Sequence, residues 1–497
     1  MTGLKMDTLV VTGHLAENAV RKAVKAIADV LVLDIEVAAF ITPALLRKHI
    51  PDRKYDLILI PGIASGDFTM LENELGTSIR LGPKHAVDLG IVLSSGSSIG
   101  FSTKLPACEL LAGRMRANAI GKVTCLEDES TAPIVVKSTK IGGNSRMKVM
   151  AEIVDAANLE RQELIDKILY FEHTGADMID LGMSPGTSGE NAADAVKTAR
   201  SATNLPLGID TLEPALINTA LSNGVDIVLS LNSGNLNHVK DNIIKHSAAA
   251  VVIPDRVEST GSLFSNIESA RDAGIEKLIA DPVLEPAGHG LVESINRYLE
   301  FRNRDKTTPL FFGTGNVTEL IDADSIGINA ILSGMGMELD ASILFTPDFS
   351  HKAHNCVFEL KTASMMMALA KERKSAPKDL GIDMLVAKEK RRRDFGMAPG
   401  SAIGAKASDS WQLDPAGCFR IEITRNEVLD GKMITGKIVA RHKNGSITGS
   451  TAREMLDTII SMGLVSRLDH AAYLGRELMK AELALKFNRS YSQDDEF

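Results

Sequence analysis

The chain has 497 residues, more than one hydrophobic core organises, so two or three domains are expected. A formal net charge of -9 argues against a nucleic-acid partner, and an aromatic share of 4% with one Trp leaves little for a base-stacking platform. The cysteines Cys108, Cys125, Cys356 and Cys418 form no C-x-x-C pair, and their gaps suit neither zinc nor a disulfide scaffold, so a reducing compartment fits. No apolar run approaches membrane-spanning length, and the N-terminus has no charged n-region, apolar h-region or cleavage site. A cytoplasmic protein without a membrane partner is expected.

Residues 1–145 alternate short apolar runs with amphipathic stretches. Leu9-Val10-Val11, Val30-Leu31-Val32-Leu33 and Leu57-Ile58-Leu59-Ile60 read as buried parallel strands. Between the first two, Ala19, Val20, Ala23, Val24 and Ile27 repeat at helical spacing. The pattern predicts an N-terminal α/β domain, Rossmann-like in the loose sense, without a G-x-G-x-x-G. Two glycine-rich turns, Pro61–Asp67 and Ser94–Gly100, offer backbone N–H groups to a phosphate, but as lone short motifs they read first as strand-to-helix turns.

Residues 146–370 have a different rhythm. Strand-like runs fall at Val149–Val154, Met178–Leu181, Leu205–Ile209, Ile227–Leu231, Ala249–Ile253, Lys277–Ala280, Pro309–Phe312 and Ala341–Phe345, with helical patterns between them. One of these helices is expected over Leu159–His173, with Asn158 as its N-cap. Strict β-α alternation predicts a parallel sheet, and eight repeats predict a closed (β/α)8 TIM barrel. Residues 371–410 carry the charge run Lys388–Asp394 and then Pro399-Gly400, and read as a linker with a solvated charged face. Residues 411–497 predict a small C-terminal α+β domain. Its strands are expected at Phe419–Ile423 and Gly431–Arg441, and its helices from about Thr451 and Asp469.

The active site of such a barrel lies at the C-terminal ends of its strands. Taken in order, those ends carry Asp155, Asp180, Asp210, Asn232, Asp255, Asp281, Asn316 and Asp348. One Asp after a strand is an ordinary turn or cap residue. So many acids on one rim repel each other unless a ligand rich in N–H donors or a cation accepts them. The 2-amino-4-oxo edge of a pterin presents two adjacent donors to a carboxylate, and carboxylate oxygens also suit a divalent metal. His351-x-x-His354 has the spacing of half a metal site but no third ligand nearby.

At these residues the sequence resembles a family. Gly175-Ala176-Asp177-Met178-Ile179-Asp180-Leu181-Gly182 is similar to the G-A-D-I-I-D-x-G strand of dihydropteroate synthases. Leu205–Thr211 resembles their third strand, and Asp281-Pro282 their sixth. Over nearly its whole length the chain resembles the dihydropteroate synthase-related proteins of organisms that use tetrahydromethanopterin. This implies a pterin-binding transferase of folate- or methanopterin-type cofactor biosynthesis, joining a 6-hydroxymethyl-dihydropterin diphosphate to an arylamine. Asp180, Asp210, Asn232 and Asp281 would hold the pterin, and Asp155 and Asn316 would act in catalysis. Asp155 would also bind Mg2+, and a homodimer is the expected assembly.

The sequence departs from the synthase pattern where that family carries cationic groups. It reads Asp281-Pro282-Val283-Leu284-Glu285 after the sixth strand, Thr314-Gly315-Asn316 after the seventh and Phe345-Thr346-Pro347-Asp348 at the eighth, with His289, His351 and Lys352 as candidate substitutes. Asp281–Leu284 and Gly313–Thr318 resemble methyltetrahydrofolate:corrinoid methyltransferases, in which an Asn matching Asn316 helps the pterin gain a proton. Methyl transfer, and pterin binding without catalysis, therefore stand as alternatives.

Overall fold

The computed structural model describes residues 7–84, 86–95, 100–378, 380–388, 403–406, 412–429 and 432–495. The chain forms two compact units, one reaching Lys122 and one running from Val123. In the first, strands β1 (Thr8–Thr12), β2 (Asp29–Val32), β3 (Leu57–Ile60) and β4 (Ser78–Leu81) form a parallel sheet in the order β2-β1-β3-β4. β1 is buried along its whole length, as its unbroken apolar run requires. The edge strand β4 is absent from the sequence expectation: Ser78-Ile79-Arg80-Leu81 alternates and buries only every second residue. The Pro61–Asp67 segment is a strand-to-helix turn in which the Gly62 N–H goes to the Pro83 carbonyl and the Ala64 N–H to that of Pro61. Part of the Ser94–Gly100 turn and most of the Lys388–Asp394 run lie outside the described residues.

The second unit begins with a hairpin of β5 (Ile134–Val136) and β6 (Thr139–Ile141). Its Ile134, Val136 and Ile141 enter an inner core with Met150, Met178, Ile227, Phe311 and Ile343. Lys137 in its turn donates to the carbonyls of Asn204 and Leu205, just before a barrel strand begins. The hairpin therefore plugs the N-terminal end of the barrel.

The barrel strands are β7 (Lys148–Ile153), β8 (Met178–Gly182), β9 (Leu207–Asp210), β10 (Ile227–Leu231), β11 (Ala249–Val252), β12 (Leu278–Ala280), β13 (Leu310–Phe312) and β14 (Ala341–Thr346). They close in sequence order, with β14 paired to β7, and every pairing is parallel. A second, larger core fills the layer between the strands and their helices. The expected (β/α)8 TIM barrel is thus present, flanked by an α/β layer before it and a small sheet with helices after it. One detail differs: the first barrel helix is Arg161–Thr174 with Glu160 at its N-cap, because Asn158 is taken up in a short 3-10 turn, Ala156–Asn158.

The C-terminal strands are β15 (Arg420–Ile423), β16 (Glu427–Leu429), β17 (Lys432–Ile434), β18 (Ile438–His442) and β19 (Gly445–Gly449). The single strand expected over Gly431–Arg441 is broken into β17 and β18, which pair with different partners. Helices Ala452–Ser461 and Leu468–Phe487 follow, the first opened by a capping box between Thr451 and Glu454. No helix among the described residues is long and apolar enough to cross a membrane.

Candidate active site

Side chains on a strand alternate, so residues two apart share a face. Met150 and Met178 point into the barrel core, and two residues on, Glu152 and Asp180 take the same inward face. The register sets Glu152 beside Asp180, Asp180 beside Gly208, and Gly182 beside Asp210. Three neighbouring strands thus deliver three carboxylates to one layer. Oxygen atoms of Glu152, Asp180 and Asp210 all lie within 4.8 Å of one another.

Glycines make the room. A Cβ on Gly208 would stand 2.4 Å from an Asp180 oxygen and 2.4 Å from the Met150 methyl carbon. A Cβ on Gly182 would stand 2.6 Å from a Glu152 oxygen. Each glycine is therefore part of the site, because any larger residue displaces a carboxylate.

The layer is electrostatically uncompensated. Asp180 is fully buried, and among the described residues neither of its carboxylate oxygens meets a hydrogen-bond partner. Burial, and then the Asp210 and Glu152 charges, hold its carboxyl well above the usual range. Burial with Asp210 and Asp155 nearby lifts Glu152 to about 7. Burial raises Asp210 as well, opposed by the Ser230 hydroxyl, which donates to it at 2.7 Å. Among the described residues no lysine or arginine offsets the charge of any of the three. An unpaired buried carboxylate is costly, so this layer is built to receive either N–H donors or a cation bound through oxygen.

The remaining rim groups differ in kind. Asp281 accepts from the Val283 N–H at 2.8 Å and the Tyr298 hydroxyl at 2.9 Å, and burial still lifts it to about 6. Val283 has φ 65°, which is strained for a β-branched residue. The buried Arg297 holds that turn by donating to the carbonyls of Pro282 and Val283 and to Glu285. Asn316 donates to the Leu284 carbonyl at 2.8 Å, tying the loop after β13 to the loop after β12. Asn232 accepts from the Gly234 N–H at 2.9 Å. Asp155 lies outside the three-carboxylate group, takes the Ser184 hydroxyl and has φ 54°.

Asp255 and Asp348 brace backbone and helix: Asp255 accepts from the Ser233 N–H in the loop after β10 and from the Asn266 amide in the helix after β11, and Asp348 from the N–H groups of Asn355 and Val357. Of the candidate cations, Lys352 pairs with Asp322 at 2.7 Å, and His289 and His351 are exposed. His354 stacks on Tyr170 with ring centroids 5.5 Å apart. Glu152 is the member of the site that the strand-end pattern does not single out. Its signal is an acid inside an apolar strand, between Ala151 and Ile153.

Three family models match segments of the chain. PterinBD-DUF4346 covers residues 413–494, a family of unknown function (DUF6513) covers 6–84, and the CO dehydrogenase/acetyl-CoA synthase delta subunit covers 144–306. Along its length the chain is similar to the uncharacterized protein MJ0107 of Methanocaldococcus jannaschii, at 38% identity over 98% of each. A Ycf91-like protein of Nostoc is 35% identical over 106 residues, 16% of this chain and 84% of that one. Among solved structures, a Yersinia pestis dihydropteroate synthase with a pterine-sulfa conjugate is 16% identical with a TM-score of 0.40, covering 48% of this chain and 99% of that chain. The resemblance to pterin-binding barrel proteins expected from the strand motifs is met, with the delta-subunit model falling on the barrel and the pterin-named model on the C-terminal domain.

Proposed function

From the premise that this chain belongs to the family of the uncharacterized Methanocaldococcus jannaschii protein, we propose that its barrel binds a reduced pterin on the Glu152–Asp180–Asp210 layer and transfers a group at the pterin side chain. The observation that carries this reading is Asp180, whose two oxygens are buried without a partner. The 2-amino group and N3–H of a pterin supply two adjacent donors, and each hydrogen bond to a charged acceptor contributes about 1.5–3 kcal/mol. Asp210 faces the same space, and Asn232, with its oxygen occupied by Gly234, keeps its amide donors for a ring acceptor. Asp281, close enough to Asp210 to feel its charge, would add a further contact to the ring.

The reaction that fits best is condensation. The amine nitrogen of an arylamine bonds to the pterin methylene carbon, the C–O bond to diphosphate breaks, and the amine loses a proton. Mg2+ would be held on the β7 side by Asp155 with Glu152, where it would neutralise the departing diphosphate. A second reading, methyl transfer from a reduced pterin, is supported by the delta-subunit match over residues 144–306.

The test supplies the chain with 6-hydroxymethyl-dihydropterin diphosphate, an arylamine and Mg2+, and follows products by mass spectrometry. The condensed pterin with release of diphosphate is the expected result. Demethylation of a methyl-tetrahydropterin with a corrinoid protein, and no condensation, would replace the first reading by the second.

A further inference from the structure

A second site lies in the first unit, at the C-terminal edge of its sheet. The strand order β2-β1-β3-β4 reverses between β1 and β3. In an open parallel sheet the loops leave such a pair in opposite directions, and the crevice between them is where ligands bind. A cavity of about 180 Å³ sits there, between the end of β1 at Thr12 and the end of β3 at Ile60. Its walls include Val11, Val20, Leu59 and Leu89. Three of its lining residues from separate segments, Leu15, Val37 and Ile63, are 76%, 41% and 50% exposed. Large apolar side chains left exposed together around a concavity mark a binding surface.

The chemistry of the walls excludes a phosphate. A phosphate site needs backbone N–H groups turned toward it. Here the His14 and Leu15 N–H groups go to the carbonyls of Ile35 and Glu36, and those of Gly62 and Gly82 go to Pro83 and Ile60. Pro61 and Pro83, at the same strand ends, have no N–H to offer. Among the described lining residues the one cation, Lys84, is already paired with Glu109. The described walls are therefore mainly aliphatic, and their cation is already neutralised. For scale, a dry cavity of about 150 Å³ lined by Leu, Ile and Phe holds benzene.

We propose that this cavity is a binding site for an uncharged, ring-sized apolar group, and not for a nucleotide or any other phosphate. Such a group gains the burial energy of its apolar surface and leaves the Lys84–Glu109 pair undisturbed. A carboxylate of the same size would have to displace Glu109.

Ligand-observed NMR and calorimetry on the full chain test this, with indole and p-cresol as neutral probes and benzoate, inorganic phosphate and NAD as charged ones. Saturable binding of a neutral probe is expected, at least tenfold tighter than benzoate and without detectable binding of phosphate or NAD. Ala16→Leu and Ala38→Leu, which fill the cavity, should each weaken it at least tenfold. Ile63→Ser, on the exposed rim, reads the same site if a filled variant does not fold. No saturable neutral binding, binding unchanged in all three variants, or NAD or phosphate binding that these variants abolish would each overturn the proposal.

Discussion

Replacing Glu152 by Gln should make the ligand-free protein more stable while making it a poorer binder. The ordinary carboxyl value is 4.5, and burial beside Asp210 and Asp155 lifts it to about 7. A carboxyl raised in the folded state costs nothing below its unfolded pKa. The cost accumulates as pH climbs from 4.5 to about 7 and is complete above that. At about 1.4 kcal/mol per pH unit, the cost is about 3 kcal/mol at pH 8 and below about 1 kcal/mol at pH 5. Gln keeps the shape that Gly182 accommodates and carries no charge, so the variant recovers that cost. Urea unfolding of metal-free wild type and Glu152→Gln at both pH values reads the difference. A gain of the same size at pH 5 and pH 8, or a variant less stable at pH 8, would refute the reasoning.

Gly208→Ala puts a methyl group 2.4 Å from Asp180 and from Met150, so pterin affinity should fall at least tenfold, measured by calorimetry in a variant whose circular dichroism is unchanged. Asn316→Ala separates the two readings. Condensation predicts that affinity and rate fall together, because Asn316 would then line the diphosphate side of the pocket, whereas methyl transfer predicts a rate loss of ~10²-fold with affinity intact. Condensation should also stop when EDTA removes Mg2+ and resume when it is restored; turnover indifferent to chelation would remove the metal from the Asp155 side.

The barrel was legible because its strands are short, mostly apolar runs largely buried on both faces, and all eight fall within two residues of their sequence positions. Edge strands β4 and β19 were not, because Ser78–Leu81 alternates and Gly445–Gly449 is mostly polar. At the site, strand-end reading found Asp180 and Asp210. It passed over Glu152 because Asp155, just beyond the same strand, was the acid read as its end. Only alternation from Met150 shows that it faces inward. The same reading gathered Asp255 and Asp348 into one rim, but Asp348 spends both oxygens on the N–H groups of Asn355 and Val357, and Asp255 ties its loop to the Ser233 N–H and the Asn266 amide. A rule based on residue type alone cannot separate an acid that builds its loop from one left without a partner. Nor does sequence reveal the strain at Val283, which rests on a buried Arg297 reaching back from the following helix.

The central claim is that the three-carboxylate layer holds the pterin. Calorimetric titration of a tetrahydropterin into wild type and Asp180→Ala tests it most directly, since the variant removes the acceptor that has no partner in the protein. Losing two charge-assisted hydrogen bonds should weaken binding about 100-fold or more, with the ligand-free fold retained. A folded Asp180→Ala protein that binds within twofold of wild type, or a wild type that binds no reduced pterin, would contradict the claim.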